Sequence, residues 1–93
     1  MARQLTVKAS FQRAYSRLSP AERALVQKAL RLLQHYLQTG EAPVGLGLKK
    51  LGRGVFEFRA GLALRGVYVE EGSLLILVLL GSHDEVLRYL RHS

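Results

Sequence analysis

The chain has no cysteine among its 93 residues, which excludes a disulfide framework and any cysteine-ligated zinc centre. It also lacks a membrane-length apolar stretch: its longest such run, Leu74 to Leu80, falls far short of the roughly 20 residues a bilayer requires. Met1 to Gln4 leads into no signal-peptide core, so a cytoplasmic location is the default expectation. There is no internal repeat and no low-complexity linker, and a single domain over residues 1–93 is expected, with 48% hydrophobic residues to supply one modest core. Acidic residues are scarce as well, with 7 Asp plus Glu against 14 Lys plus Arg and a formal charge of +7. Such an excess favours polyanionic partners, because each neutralised phosphate releases counterions. Composition alone weighs a merely solubilising surface about equally.

What is present divides into clear periodicities. Gln4 to Lys8 alternates polar and apolar residues, as a short strand with one buried face does. Phe11, Ala14, Tyr15 and Leu18 follow helical spacing from a Ser10 cap. Ser19-Pro20-Ala21-Glu22 combines an N-cap, a first-turn proline and a capping-box glutamate. The second helix it starts runs to about Leu37, with Leu25, Ala29, Leu32, Leu33 and Tyr36 as its apolar stripe and Gly40 as terminator. Gly45 to Leu51 alternates but is weakened by glycine, giving an irregular or edge segment. Val55 to Arg59 is a strand with Phe56 and Phe58 on one face and Glu57 and Arg59 on the other. Ala60-Gly61 turns into a strand from Leu62 to Val69, and Glu70 to Ser73 turns again. Leu74 to Leu80 has no polar residue and reads as the central strand, covered on both faces. Ser82 and Glu85 form a second capping box, opening a helix to about His92 in which Val86, Leu87 and Leu90 pack. The expected architecture is α+β: two N-terminal antiparallel helices on a mainly antiparallel four-stranded sheet, with a short C-terminal helix.

Phe11-Gln12-Arg13-Ala14-Tyr15, Gly47-Leu48-Lys49-Lys50-Leu51, Val55-Phe56-Glu57-Phe58-Arg59, Leu64-Arg65-Gly66-Val67-Tyr68 and Gly81-Ser82-His83 to Tyr89 occur in an order and spacing that resembles the RelE/ParE superfamily of toxin–antitoxin toxins. The resemblance covers nearly the whole chain. It implies a microbial-ribonuclease-like fold, an antitoxin partner in a hetero-oligomer and, in the RelE branch, cleavage of messenger RNA on the ribosome. The ParE branch implies poisoning of DNA gyrase without a nuclease site. A basic domain that binds RNA or protein without catalysis is the third reading. The acidic Gly81-Ser82-His83-Asp84-Glu85 segment departs from members that follow the last strand with phenylalanine and two lysines.

Metal-free RNA cleavage needs a base for the 2′-hydroxyl, cations for the phosphorane charge and an acid for the leaving 5′-oxygen. The chain offers Lys49, Lys50, Arg59 and Arg65 as cations and Glu57, His83, Asp84 and Tyr89 as proton-transfer groups. The resemblance assigns Lys49 and Lys50 to a basic pair, of which alternation lets one face the site. It matches Arg59 and Arg65 to arginines on the scissile phosphate, and His83 and Tyr89 to functional positions. Arg53 and Arg88 extend the RNA-binding surface. Each has a plainer reading: edge lysines that deter aggregation, an exposed charge pair with Glu57, a capping histidine, and a tyrosine in ordinary helix packing. A helix start disfavours imidazolium, which suits His83 to accept a proton, and Glu57 is the alternative base. His35 and His92 stand apart, a His83–His92 metal site would lack a third ligand, and neither metal nor cofactor is expected.

Overall fold

The computed structural model describes residues 3–92; Met1, Ala2 and Ser93 lie outside it. The elements are β1 (Gln4–Val7), α1 (Ala9–Ser16), α2 (Pro20–Thr39), β2 (Lys49–Gly52), β3 (Val55–Ala60), β4 (Leu64–Glu71), β5 (Leu74–Gly81) and α3 (His83–Arg91). All five strands form one sheet in the order β1-β5-β4-β3-β2. Adjacent strands are antiparallel except for β1 and β5, which are parallel.

The α+β class and mainly antiparallel sheet match the sequence reading, but there are five strands rather than four. The glycine-weakened segment supplies the fifth, pairing Lys49 with Glu57 and Lys50 with Phe56 before its register shifts at Gly52. The all-apolar strand β5 is an inner strand but not the central one, which is β4. Its two faces are nevertheless covered: Leu75, Leu77 and Leu80 enter the core under α1 and α2, while Ile76, Val78 and Leu79 join a second cluster under α3. A register shift opposite Val67 and Tyr68 places a bulge at Val78. The bulge lets two successive residues, Val78 and Leu79, serve the same cluster.

The larger core gathers Phe11, Val26, Ala29, Leu33, Leu46, Phe58 and Tyr68. Each wholly buried aliphatic side chain contributes roughly 1.5–3 kcal/mol relative to exposure. Phe58 sits opposite Gly66, and the phenyl ring fills the space a side chain there would need: a Cβ on Gly66 would lie 2.2 Å from Phe58 Cζ. Tyr68 stacks on Phe56 with ring centroids 5.2 Å apart. Burial pushes the Tyr68 phenol well above its ordinary value, with Tyr36 and Glu70 adding to the effect.

α1 seats on β5 and α2 on β3, so the main contacts of both helices are with the sheet rather than with each other. A hydrogen bond from Gln27 Nε2 to the Tyr15 hydroxyl, at 2.7 Å, links them. Ser10 is not the cap of α1. Lys8 takes that position, and Ser10 Oγ donates to the Val78 carbonyl at the bulge, 3.0 Å away. Both expected capping boxes are present, Ser19 with Glu22 and Ser82 with Glu85. The backbone N–H of Ser19 lowers the Glu22 carboxyl below its usual range. The buried stripe of α2 centres on Val26, Ala29 and Leu33, leaving Leu25 on an open flank. On α3 Val86 is buried, Tyr89 and Leu90 pack beside it, and Leu87 faces solvent instead of packing. No helix is long and apolar enough to cross a membrane among the described residues.

Candidate active site

Four strand ends meet at one end of the sheet: the starts of β2 and β4 and the finishes of β3 and β5. Register sets the side chains into two rows. Lys49 lies opposite Glu57, and Glu57 opposite Val67. Arg59 lies opposite Arg65, and Arg65 opposite Gly81. Directly opposed residues share a face, and Val67 fixes that face as the one carrying α3. Lys49 therefore stands in a row with Glu57 while Lys50, opposite Phe56, belongs to the other face. Of the expected lysine pair, the register selects Lys49.

Glu57 is 7% exposed, the buried charged residue of this face. Its Oε1 lies 3.8 Å from Arg65 Nε, and a buried carboxylate needs such a partner to offset lost hydration. The expected charge pair is thus present but buried rather than exposed. Arg65 also donates through Nη1 to the carbonyls of Leu62, at 3.1 Å, and Leu64, at 3.2 Å. One guanidinium thereby ties the β3–β4 turn to the carboxylate. Arg59 is exposed. Its stem runs along Gly47, where φ is +60° and an added Cβ would lie 2.8 Å from Arg59 Cγ.

The chain leaves the Arg59–Arg65–Gly81 row directly into the capping box of α3. Ser82 Oγ accepts from the Glu85 N–H, and Glu85 Oε1 accepts from the Ser82 N–H. His83 is the first residue of α3 and solvent-exposed, two positions beyond Gly81. Asp84 is exposed beside it. Glu85 was legible as a cap, but its carboxyl has a second effect. It covers Gly81 so closely that a Cβ there would lie 2.8 Å from Glu85 Cδ, adding negative charge beside the arginine row.

The remaining candidates are dispersed. Tyr89 packs with Val67, Val78 and Val86 and lines a shallow cleft with Leu79, Glu85, Arg88 and His92. Arg88 is exposed there, and His92 is the C-cap of α3. Arg53 sits in the β2–β3 turn, at the opposite end of β3 from Arg59, so the structure does not bring it to the two rows. No group of three or more potential metal ligands occurs among the described residues.

No family model and no curated protein sequence matches the chain. Solved structures do. A YoeB dimer from Staphylococcus aureus superposes with a TM-score of 0.68 at 17% identity, over 89% of this chain and 99% of the other. A RelE–RelB complex from Pyrococcus horikoshii gives 0.67 at 17%, over 88% and 96%. A copper-bound mutant toxin from Helicobacter pylori gives 0.66 at 23%, over 90% and 98%. The fold is that of the RelE/ParE toxins. In this RelE/ParE-type fold β3 and β4 carry Glu57, Arg59 and Arg65 on one face, while His83, Arg88 and Tyr89 lie on α3, His83 at its first position just beyond β5.

Proposed function

We propose that the chain is the toxin of a toxin–antitoxin pair and a metal-free endoribonuclease that cuts messenger RNA on the ribosome. The observation that carries this reading is the Lys49–Glu57 and Arg59–Arg65 rows on one sheet face, with an exposed histidine at the head of α3 two residues along the chain from Gly81, the strand partner of Arg65. The partner is an antitoxin, in keeping with the RelE–RelB pairing of the Pyrococcus structure.

In the proposed reaction the 2′-oxygen attacks phosphorus as its proton passes to a base, the 5′-oxygen departs with a proton, and a 2′,3′-cyclic phosphate remains. Glu57 is engaged with Arg65 and buried, which favours exposed His83 as the base. Glu57 then serves as a positioning residue for Arg65. Lys49 and Arg59 offer their charge to the phosphorane oxygens, where preorganised cations act on developing charge. Asp84 and Tyr89 are the candidates for the acid.

Primer extension on messenger RNA after induction tests the proposal, with discrete ribosome-dependent cuts as the expected result. His83→Ala should lower the single-turnover cleavage rate about 100-fold or more, the range of general acid–base catalysis, while leaving thermal unfolding unchanged because His83 is exposed. Intact messenger RNA with inhibited supercoiling by purified gyrase would replace this reading with the ParE-like one. Loss of both activities would leave a binding domain.

A further inference from the structure

The two arginines of the row are held in place by different means. Arg65 is fixed by charge and hydrogen bonds, through the Glu57 carboxylate and the carbonyls of Leu62 and Leu64. Arg59, directly opposite on β3, has neither: among the described residues its guanidinium makes no ion pair and no hydrogen bond. An exposed arginine in that state ordinarily samples many rotamers, and ordering it on a ligand costs the entropy of a long side chain. The stem of Arg59 is nevertheless confined. A Cβ added to Gly47 would lie 2.8 Å from its Cγ, 2.9 Å from its Cδ and 3.3 Å from its Cβ. The whole stem, rather than its tip, occupies the slot that the absent side chain leaves.

Neither wall of the slot is free to retreat. Gly47 lies between Leu46, which is fully buried, and Leu48, which packs against the same core. Arg59 lies between Phe58 and Ala60, both buried, and its N–H donates to the Leu46 carbonyl at 2.8 Å. Gly47 also has φ +60°, a conformation glycine adopts at no steric cost. We propose that Gly47 is a positioning residue for Arg59: its bare backbone aligns the stem, so that the guanidinium of the row that lacks a carboxylate is already set to meet a phosphate. A carboxylate partner would fix Arg59 as well but would compete with the phosphate for it. Packing along the stem fixes the side chain and leaves its charge uncommitted, as preorganised stabilisation of an anion requires. The catalytic consequence rests on the proposed nuclease reading; the alignment of Arg59 does not.

The test compares Gly47→Ala with Gly45→Ala in the full chain. Gly45 lies two residues away with φ +95°, and an added Cβ there meets nothing within 4 Å, so Gly45→Ala carries the backbone strain without the contact. Three-bond scalar couplings at Arg59 should report one staggered χ1 rotamer in the unmodified chain and in Gly45→Ala, and a different or averaged one in Gly47→Ala. On ribosomes with messenger RNA, Gly47→Ala should lower the saturated single-turnover cleavage rate about tenfold to 100-fold, the scale of a misplacement of about 1 Å, with the half-saturating concentration changed by less than about threefold. Gly45→Ala should cleave at the unmodified rate. In an Arg59→Ala background Gly47→Ala should have no further effect, because the contact through which it acts is gone. Circular dichroism melts place the assay temperature below every midpoint, so that an unfolded variant is not read as a slow one. Averaged couplings in the unmodified chain would overturn the inference without any variant. So would unchanged couplings in Gly47→Ala, equal rate loss in the two glycine variants, or a further loss from Gly47→Ala on top of Arg59→Ala. An unmodified chain that cuts no messenger RNA would overturn the nuclease reading and the catalytic consequence with it, while the couplings still decide whether Gly47 aligns Arg59.

Discussion

Arg65 works in two directions at once: Nε faces the buried Glu57 carboxylate and Nη1 holds the carbonyls of the turn that precedes β4. Its place was visible from strand alternation, but its sequestration was not, because that depends on where Leu62 and Leu64 turn their carbonyls. Gly66, next along the strand, is governed by Phe58, whose ring occupies the space above it. Gly66→Ala should therefore destabilise the fold by about 1–3 kcal/mol, the usual penalty for overpacking, seen as a lower urea midpoint at unchanged slope. Combining it with Phe58→Leu should cost less than the two single changes added together, since the substitutions share one contact. Additive costs would mean that the ring does not set the identity of residue 66.

Elements whose signals are local were readable from the sequence, and those that depend on distant partners were not. Ser19-Pro20-Ala21-Glu22 and Ser82-His83-Asp84-Glu85 each carry cap, spacing and glutamate within four residues, and both boxes form. Ser10 carried a cap residue alone, with Arg13 rather than a glutamate three positions on, and its hydroxyl donates instead to the Val78 carbonyl of the bulged strand β5, a tertiary outcome. The strand β2 was obscured by its glycines because its pairing with β3 supplies what its own sequence lacks. The bulge at Val78 is invisible in an unbroken apolar run, where no polar residue marks the change of face. Ser82→Ala removes one cap hydrogen bond and should cost about 1 kcal/mol. In a domain of this size that corresponds to a fall in Tm of about 4–8 °C, and Ser82→Asp should restore most of it. An unchanged melting temperature in Ser82→Ala would show that packing of Val86, rather than the cap, holds α3.

Across the whole molecule the positive charge is spread over both layers, with Arg23, Lys28 and Arg31 on α2 and Lys49 and Arg59 at the sheet end. Charge pointed to a polyanion, but only register could separate Lys49 from Lys50 and Arg59 from Arg53. On the proposed reading, the affinity for a short single-stranded RNA should fall steeply with salt. Each phosphate contact contributes about 0.7 to the slope of log K against log salt, so Lys49→Ala should flatten that slope by about 0.7. A parallel line would remove Lys49 from the RNA surface. The pairing of β1 with β5 joins residues 4–7 to residues 74–77, and this long closure has a consequence for biosynthesis. The first strand has no sheet neighbour until β5 has left the ribosome, and Gly81, the residue of β5 that completes the arginine row, is the last of that strand to emerge. On the proposed reading, a nascent chain of this design gains a complete site only after residues 74–81 have emerged to join β1 and β4.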